Sequence, residues 1–349
     1  MTTRRVVAFG GGHGLSASLR ALRHCAAELD LDITAVVTVG DDGGSSGRLR
    51  AERGGLPPGD LRQALVALSG DHPATRRSAG LFQHRFAAAQ AVRVLEDAGT
   101  DAAPAAGDAA GADADPAFRA DGLAGHAVGN LVLCGLMELL GDPVAALEHA
   151  GAMLGAVGRV LPMSRQPVDI EARVRGVHPD APDEVRTVRG QHQVAVTTGR
   201  VESLRLTPAA PAACAEALAA IGAADWLIFG PGSWYTSVLP HLLVPQLADA
   251  IVSSSARRLV TLNLAAEKET LGLSVADHLA ALHWYLPELK VDLVLADAKA
   301  VGDPEPVERA AESLGARLVL APVAVTDGTP RHDPAALGAA LVPVLGADR

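Results

Sequence analysis

Apolar positions along this chain follow two rhythms. Val6–Phe9 and the β-branched run Ile33–Val39 are apolar on both faces, the pattern of strands in a parallel sheet covered by helices. Between them, Leu15, Leu19, Leu22, Ala26 and Leu29 recur at helical spacing. A right-handed β-helix-β crossover brings the turns after both strands to one carboxyl edge of the sheet. Those turns are Gly10-Gly11-Gly12-His13-Gly14 and Gly40-Asp41-Asp42-Gly43-Gly44. Further strands are predicted at Asp225–Phe229, Leu259–Leu264, Val291–Leu295 and Leu318–Pro322. A helix is predicted from Leu61 with Asp60 as its N-cap, and another over Leu131–Leu140. Valine, arginine and threonine alternate over about 161–206, which predicts strands and hairpins beside the main sheet. The expectation is one α/β domain over 1–349, a Rossmann-like parallel sheet with flanking helices and an added β-rich region.

Composition narrows the function. The 349 residues are 49% hydrophobic and 20% charged, which suits a large buried core. A net charge of −10 and 3% aromatics argue against a nucleic-acid partner, so an anionic ligand must be held by local devices such as backbone amides. Cys25, Cys134 and Cys214 have no metal or redox spacing. Met1–Phe9 is too short an apolar run for a signal peptide, and no long charge-free run suggests a membrane span, so the expected location is the cytoplasm. Residues 97–124 form an Ala/Asp/Gly/Pro tract, read as a mobile surface insertion. A homo-oligomer is expected on general grounds, and a regulatory protein partner stays open.

Three stretches carry candidate chemistry. Gly10, Gly11, Gly12, His13 and Gly14 follow a strand and open a helix, where amides favour a phosphate. The G-x-G-x-x-G fingerprint fails here, because its last position is Leu15 or Ala17, and this counts against an NAD-dependent dehydrogenase. Asp41 and Asp42 have two readings: a hydrogen bond to a ribose hydroxyl, or Mg²⁺ held beside phosphates. Ser45, Ser46 and Arg48 can serve phosphate oxygens nearby. Gly230, Pro231, Gly232, Ser233, Tyr235 and Thr236 form the other candidate, since a tight turn explains the glycines but not the hydroxyls beside them. Asp60 and Asn130 are weaker candidates, each also explained as a helix cap.

Together these motifs resemble the YvcK family of gluconeogenesis factors within the CofD-like superfamily. The stretches that carry the resemblance are Gly10–Leu15, Asp32–Val39, Asp41–Arg50 (DDGGSSGRLR) and Leu56–Arg62 (LPPGDLR). Leu81–Phe86, Gly125–Leu131, Gly230–Ser237, Asn263-Leu264, Glu269-Thr270, Asp277-His278 and Arg331-His332-Asp333 complete it. The resemblance implies a Rossmann-like fold and a cytoplasmic protein that binds UDP-sugars, notably UDP-N-acetylglucosamine. It also implies a link to cell shape and wall synthesis on gluconeogenic carbon sources. CofD relatives are Mg²⁺-dependent transferases of a phospholactyl group, which keeps a transferase as the alternative. On this reading Asn263 and Arg331 join the ligand-binding set, with Arg331 pairing a phosphate. The chain departs from the family in four places: His13 replaces threonine, the loop after Asn263-Leu264 is shortened, Pro334 follows Arg331-His332-Asp333, and the strands around His178–Val201 lack the usual glycine-serine pattern.

Overall fold

A computed structural model of the chain describes residues 2–87, 122–178, 180–265, 268–270 and 273–347. Seven strands form a parallel sheet: β1 (Arg4–Gly10), β2 (Leu31–Val37), β3 (Arg159–Pro162), β7 (Trp226–Phe229), β8 (Arg257–Thr261), β9 (Leu293–Asp297) and β10 (Arg317–Ala321). Their spatial order is β10-β9-β8-β7-β1-β2-β3. Three more, β4 (Asp169–Arg175), β5 (Val185–Arg189) and β6 (Arg200–Thr207), form a separate antiparallel sheet in the order β5-β4-β6.

The inner parallel strands are buried, as the unbroken apolar runs require, whereas the edge strand β10 is half-covered and leaves Leu320 exposed. Phe9 and Phe229 on neighbouring β1 and β7 stack with ring centroids 4.8 Å apart, at the centre of the core. From β1 the chain winds outward through β2 and β3. It then returns to β7 on the other side of β1 and winds outward again to β10. The strand order therefore reverses between β1 and β7, and the loops leaving their carboxyl ends diverge. Such a switch point is where open α/β sheets hold ligands.

The predicted β-rich region is resolved into two parts. Its first strand, β3, pairs in parallel with Thr34–Val37 of β2 and so belongs to the main sheet. Only β4–β6 form the side sheet, with Ile170, Ala172 and Val174 turned into the core and Glu171 and Arg173 on the other face. Most of the predicted insertion, 97–121, lies outside the described residues. On either side of 88–121 the backbone is zipped: Phe86 N donates to His126 O, Gly125 N to Phe86 O and Val128 N to His84 O. The last helix, Pro334–Gly346, returns to pack on the helix Gly12–Cys25. Arg4 secures its end by donating to the carbonyls of Leu345, Gly346 and Ala347.

One predicted boundary moves with consequence. The helix after Leu56 spans Pro58–Ala67, with Pro57 at its N-cap and Pro58 in its first turn. Proline there is preorganised for the helix and loses no hydrogen bond. Asp60 is therefore inside the first turn rather than capping it, and its carboxylate is left to face the β1 turn.

Candidate functional site

The two glycine turns of the switch point touch. A Cβ on Gly14 would stand 2.3 Å from the Pro231 carbonyl oxygen and 2.5 Å from Gly232 Cα, so only glycine allows this contact. Asn263, just beyond β8, clamps the β7 turn from behind. Its Oδ1 accepts from Gly232 N at 2.9 Å and its Nδ2 donates to Gly232 O at 2.9 Å. Above these turns opens a cavity of about 930 Å³, bordered by Gly12, His13, Asp60, Arg62, Thr236 and Arg331 among others. The start of the helix Gly12–Cys25 lines it, and a helix N-terminus favours an anion.

The carboxylates after β2 separate into two jobs. Asp42 turns away from the glycines, and its Oδ1 accepts from His192 N at 2.8 Å at the start of the short helix Gln191–Val196. Asp41 turns toward the Pro58–Ala67 helix, where its carboxylate stands beside Ser46 and Gly59. Ser46 Oγ accepts from Gly59 N at 2.9 Å and hydrogen-bonds the Asp41 carboxylate, tying the two segments together. Burial raises the Asp41 pKa against the opposing pull of these hydrogen bonds. Asp60 is its neighbour. Burial, then the charge of Asp41, push the Asp60 carboxyl up to about 7, while the Gly12 amide pulls the other way. Asp60 Oδ2 is buried with no hydrogen-bond partner among the described residues, as is the adjoining Thr38 Oγ1. The acid pair at the site is thus Asp41 with Asp60, not Asp41 with Asp42. No cluster of three or more metal-binding side chains occurs among the described residues.

Ser45 and Asn130 lie one layer behind the cavity. Ser45 Oγ meets His126 Nδ1 at 3.0 Å and accepts from Asn130 Nδ2 at 3.0 Å. Asn130 Oδ1 in turn accepts from Arg62 Nε at 2.8 Å. All four side chains are buried. Burial, then the charge of Arg48, holds His126 below the usual histidine range, which favours its neutral ring against the Ser45 hydroxyl. The relay ends at Arg62, whose guanidinium borders the cavity.

The sequence model of the 2-phospho-L-lactate transferase CofD family matches residues 6–320. The chain belongs to the CofD family. Within it, the relatives are gluconeogenesis factors. A protein of Mycobacterium tuberculosis (strain H37Rv), named as a candidate gluconeogenesis factor, is 46% identical over 350 residues, covering 99% of this chain and 92% of the relative. The gluconeogenesis factor of Bacillus subtilis (strain 168) is 34% identical over 316 residues, covering 90% and 84%. Among solved structures, a UPF0052-family protein of Bacillus halodurans superposes with a TM-score of 0.77 at 31% identity, covering 98% of this chain and 99% of that one.

The remaining predicted residues divide between lining and support. Pro231, Gly232, Ser233 and Thr236 border the cavity. Tyr235 is buried outside that border, its backbone N donating to Glu269 Oε1 at 2.9 Å. Asn263 borders the cavity, but both ends of its amide are spent on Gly232. Arg331 reaches the border with its guanidinium on Asp327 at 2.9 Å and on Thr329 at 3.0 Å, an exposed arrangement that a stronger anion can displace. Residue-by-residue reading passed over Arg62, Thr38 and His332, and took His126 for a hydrogen-bonded structural residue. Arg62 stood inside the LPPGDLR stretch and His126 before Asn130, so the signal was present as motif without a role. Thr38 reads as one more β-branched strand residue until the fold sets it against Gly11. His332 also borders the cavity, and burial lowers its pKa to about 4, keeping the ring neutral.

Proposed function

We propose that this protein is a regulatory protein that binds a nucleotide sugar of the UDP-N-acetylglucosamine kind in the switch-point cavity. The diphosphate rests on the amides of Gly11, His13 and Gly14 and on Ser233 and Thr236 of the facing turn, since Gly12 N is held by Asp60, Gly232 N by Asn263 and Tyr235 N by Glu269. Arg331 leaves Asp327 to pair with a phosphate. The observation that carries this reading is the contact of two glycine turns beside a helix N-terminus, under a cavity of about 930 Å³. That volume lies in the upper part of the range of small-molecule sites. A regulator needs two conformations of different ligand affinity, and the shared turn is where binding would bias them. The regulated process is cell shape and wall synthesis on gluconeogenic carbon sources, in the cytoplasm, through a second copy of the chain or a protein partner.

One observation favours a second reading, a Mg²⁺-dependent transferase acting on a nucleotide-activated donor. Asp41 and Asp60 are adjacent, and Asp60 Oδ2 is an unpartnered buried acceptor. Mg²⁺ is commonly bound by one or two carboxylates together with phosphate oxygens and water, so this pair fits it. When bound, the ion would neutralise charge on the phosphates. Asp41 and Asp60 would hold it, while the glycine turns orient the donor.

Calorimetric titration with UDP-N-acetylglucosamine, with and without Mg²⁺, tests both readings on the parent and on Asp41→Asn. Binding with the nucleotide recovered intact by chromatography supports the regulator. Consumption of an activated nucleotide that needs Mg²⁺ and Asp41 supports the transferase. No binding to any uridine nucleotide refutes the first reading.

A further inference from the structure

We propose that the cavity contains a second anion subsite, apart from the glycine turns, in which Arg62, Arg85 and Arg20 take the carboxylate or phosphate group of a small metabolite. Arg20 comes from the helix Gly12–Cys25, Arg62 from the helix Pro58–Ala67, and Arg85 from just beyond the helix Pro73–Gln83. All three border the same cavity, together with Gln63 and Gln83.

None of the three arginines forms an ion pair with a carboxylate among the described residues. Other arginines of the molecule do pair with acids. Arg50 is paired with Asp169, Arg159 with Glu148, Arg175 with Glu202 and Arg205 with Glu171. In a chain of net charge −10, acids are plentiful, yet Asp60 and Asp41 act on Arg62 only through space, with no direct ion pair among the described residues. Arg62 is also buried, at 3% exposure, and Asn130 Oδ1 takes only its Nε. Burial and the charge of Arg85 bring its pKa down to about 10, against the opposing pull of Asp60 and Asp41. A buried arginine set near a second cation costs free energy until an anion arrives. The relay from His126 through Ser45 and Asn130 holds Arg62 in that position.

The subsite is distinct from the diphosphate cradle. Asp60 lies against Gly11 and accepts from Gly12, so a carboxylate stands beside the turn on the segment that carries Arg62. The helix bearing Arg62 packs on β2 and β3, whereas Arg331 sits on the β8–β10 side of the switch point. The polar lining of Gln63 and Gln83 suits a small hydrophilic acid rather than a flat aromatic. The proposal rests on the nucleotide reading only in assigning the glycine turns to a different group.

The test is titration of the full chain with inorganic phosphate, and separately with succinate, at fixed ionic strength. Each is done on the free protein and on protein saturated with uridine diphosphate. We expect one of the two probes to bind with its stoichiometry unchanged by the nucleotide. Arg85→Gln should weaken it by about tenfold or more, as should Arg62→Gln. Arg85 is exposed, so its variant keeps the test valid if Arg62→Gln fails a thermal-melt check of folding. Displacement of the probe by uridine diphosphate, unchanged affinity in Arg85→Gln, or no binding of either probe overturns the proposal. If uridine diphosphate itself does not bind, the nucleotide reading fails, and loss of the probe in Arg85→Gln still supports the subsite.

Discussion

Asp60 occupies the space that a side chain on Gly11 would need: a Cβ there would stand 2.4 Å from Asp60 Oδ2 and 2.5 Å from Thr38 Cγ2. Three separate segments, the β1 turn, the end of β2 and the helix Pro58–Ala67, meet at this point. Gly11→Ala must push the carboxylate or the β2 end aside. We expect a loss of about 2 kcal/mol in stability by chemical denaturation, together with loss of nucleotide binding.

The same carboxylate makes stability depend on pH. Asp60 ionises near 3.8 in the unfolded chain and near 7 in the folded one. Between those values the folded state holds the extra proton, so this contribution is full below about 3.8 and is lost as pH rises through 7. Asp60→Asn should therefore stabilise the ligand-free protein at pH 8 by on the order of 2 kcal/mol, and much less at pH 4. Denaturant midpoints measured across that range check it. Equal effects at both ends would contradict the burial argument.

Asp41 and Asp42 should behave differently on substitution despite their adjacency. Asp42→Asn weakens the start of the helix Gln191–Val196 and should cost about 1 kcal/mol or less, with nucleotide affinity within a few-fold of the parent. Asp41→Asn should instead abolish any Mg²⁺ dependence of binding. Side-by-side titrations with and without Mg²⁺ read both effects.

Asn263 should act through geometry. Its amide closes two hydrogen bonds to Gly232, so Asn263→Ala frees the β7 turn without removing a ligand contact. The expected cost is about 1–3 kcal/mol. Nucleotide affinity should fall as well, with the protein still folded by circular dichroism.

His126→Ala tests the relay. Ser45 would lose its ring partner, Asn130 its fixed orientation, and Arg62 its anchor. A large-to-small change in this buried site should cost about 2 kcal/mol. Binding at the arginine wall should suffer more than binding at the glycine turns, which competition titrations with phosphate and uridine diphosphate would separate.

Local rules made much of this protein legible from residues alone. Continuous apolar runs declared parallel strands, since a strand covered on both faces has no polar side to show. Glycine at Gly11 to Gly14 and Gly230 to Gly232 announced close backbone approach, and the motif from Asp41 to Arg50 marked the family. Chain proximity, however, misled where direction mattered. Asp41 and Asp42 are neighbours in sequence yet face opposite segments, because the turn after β2 sends one toward Ser46 and Gly59 and the other toward His192. Only tertiary packing could bring Asp60 beside Asp41 or link His126, Ser45, Asn130 and Arg62 into one relay. Those contacts span up to 85 positions, and no local periodicity encodes which side chain meets which across such a distance. The sheet edge at which the ligand turns gather was written in the strands; the pairing of charges above it was decided when the helices closed over that edge.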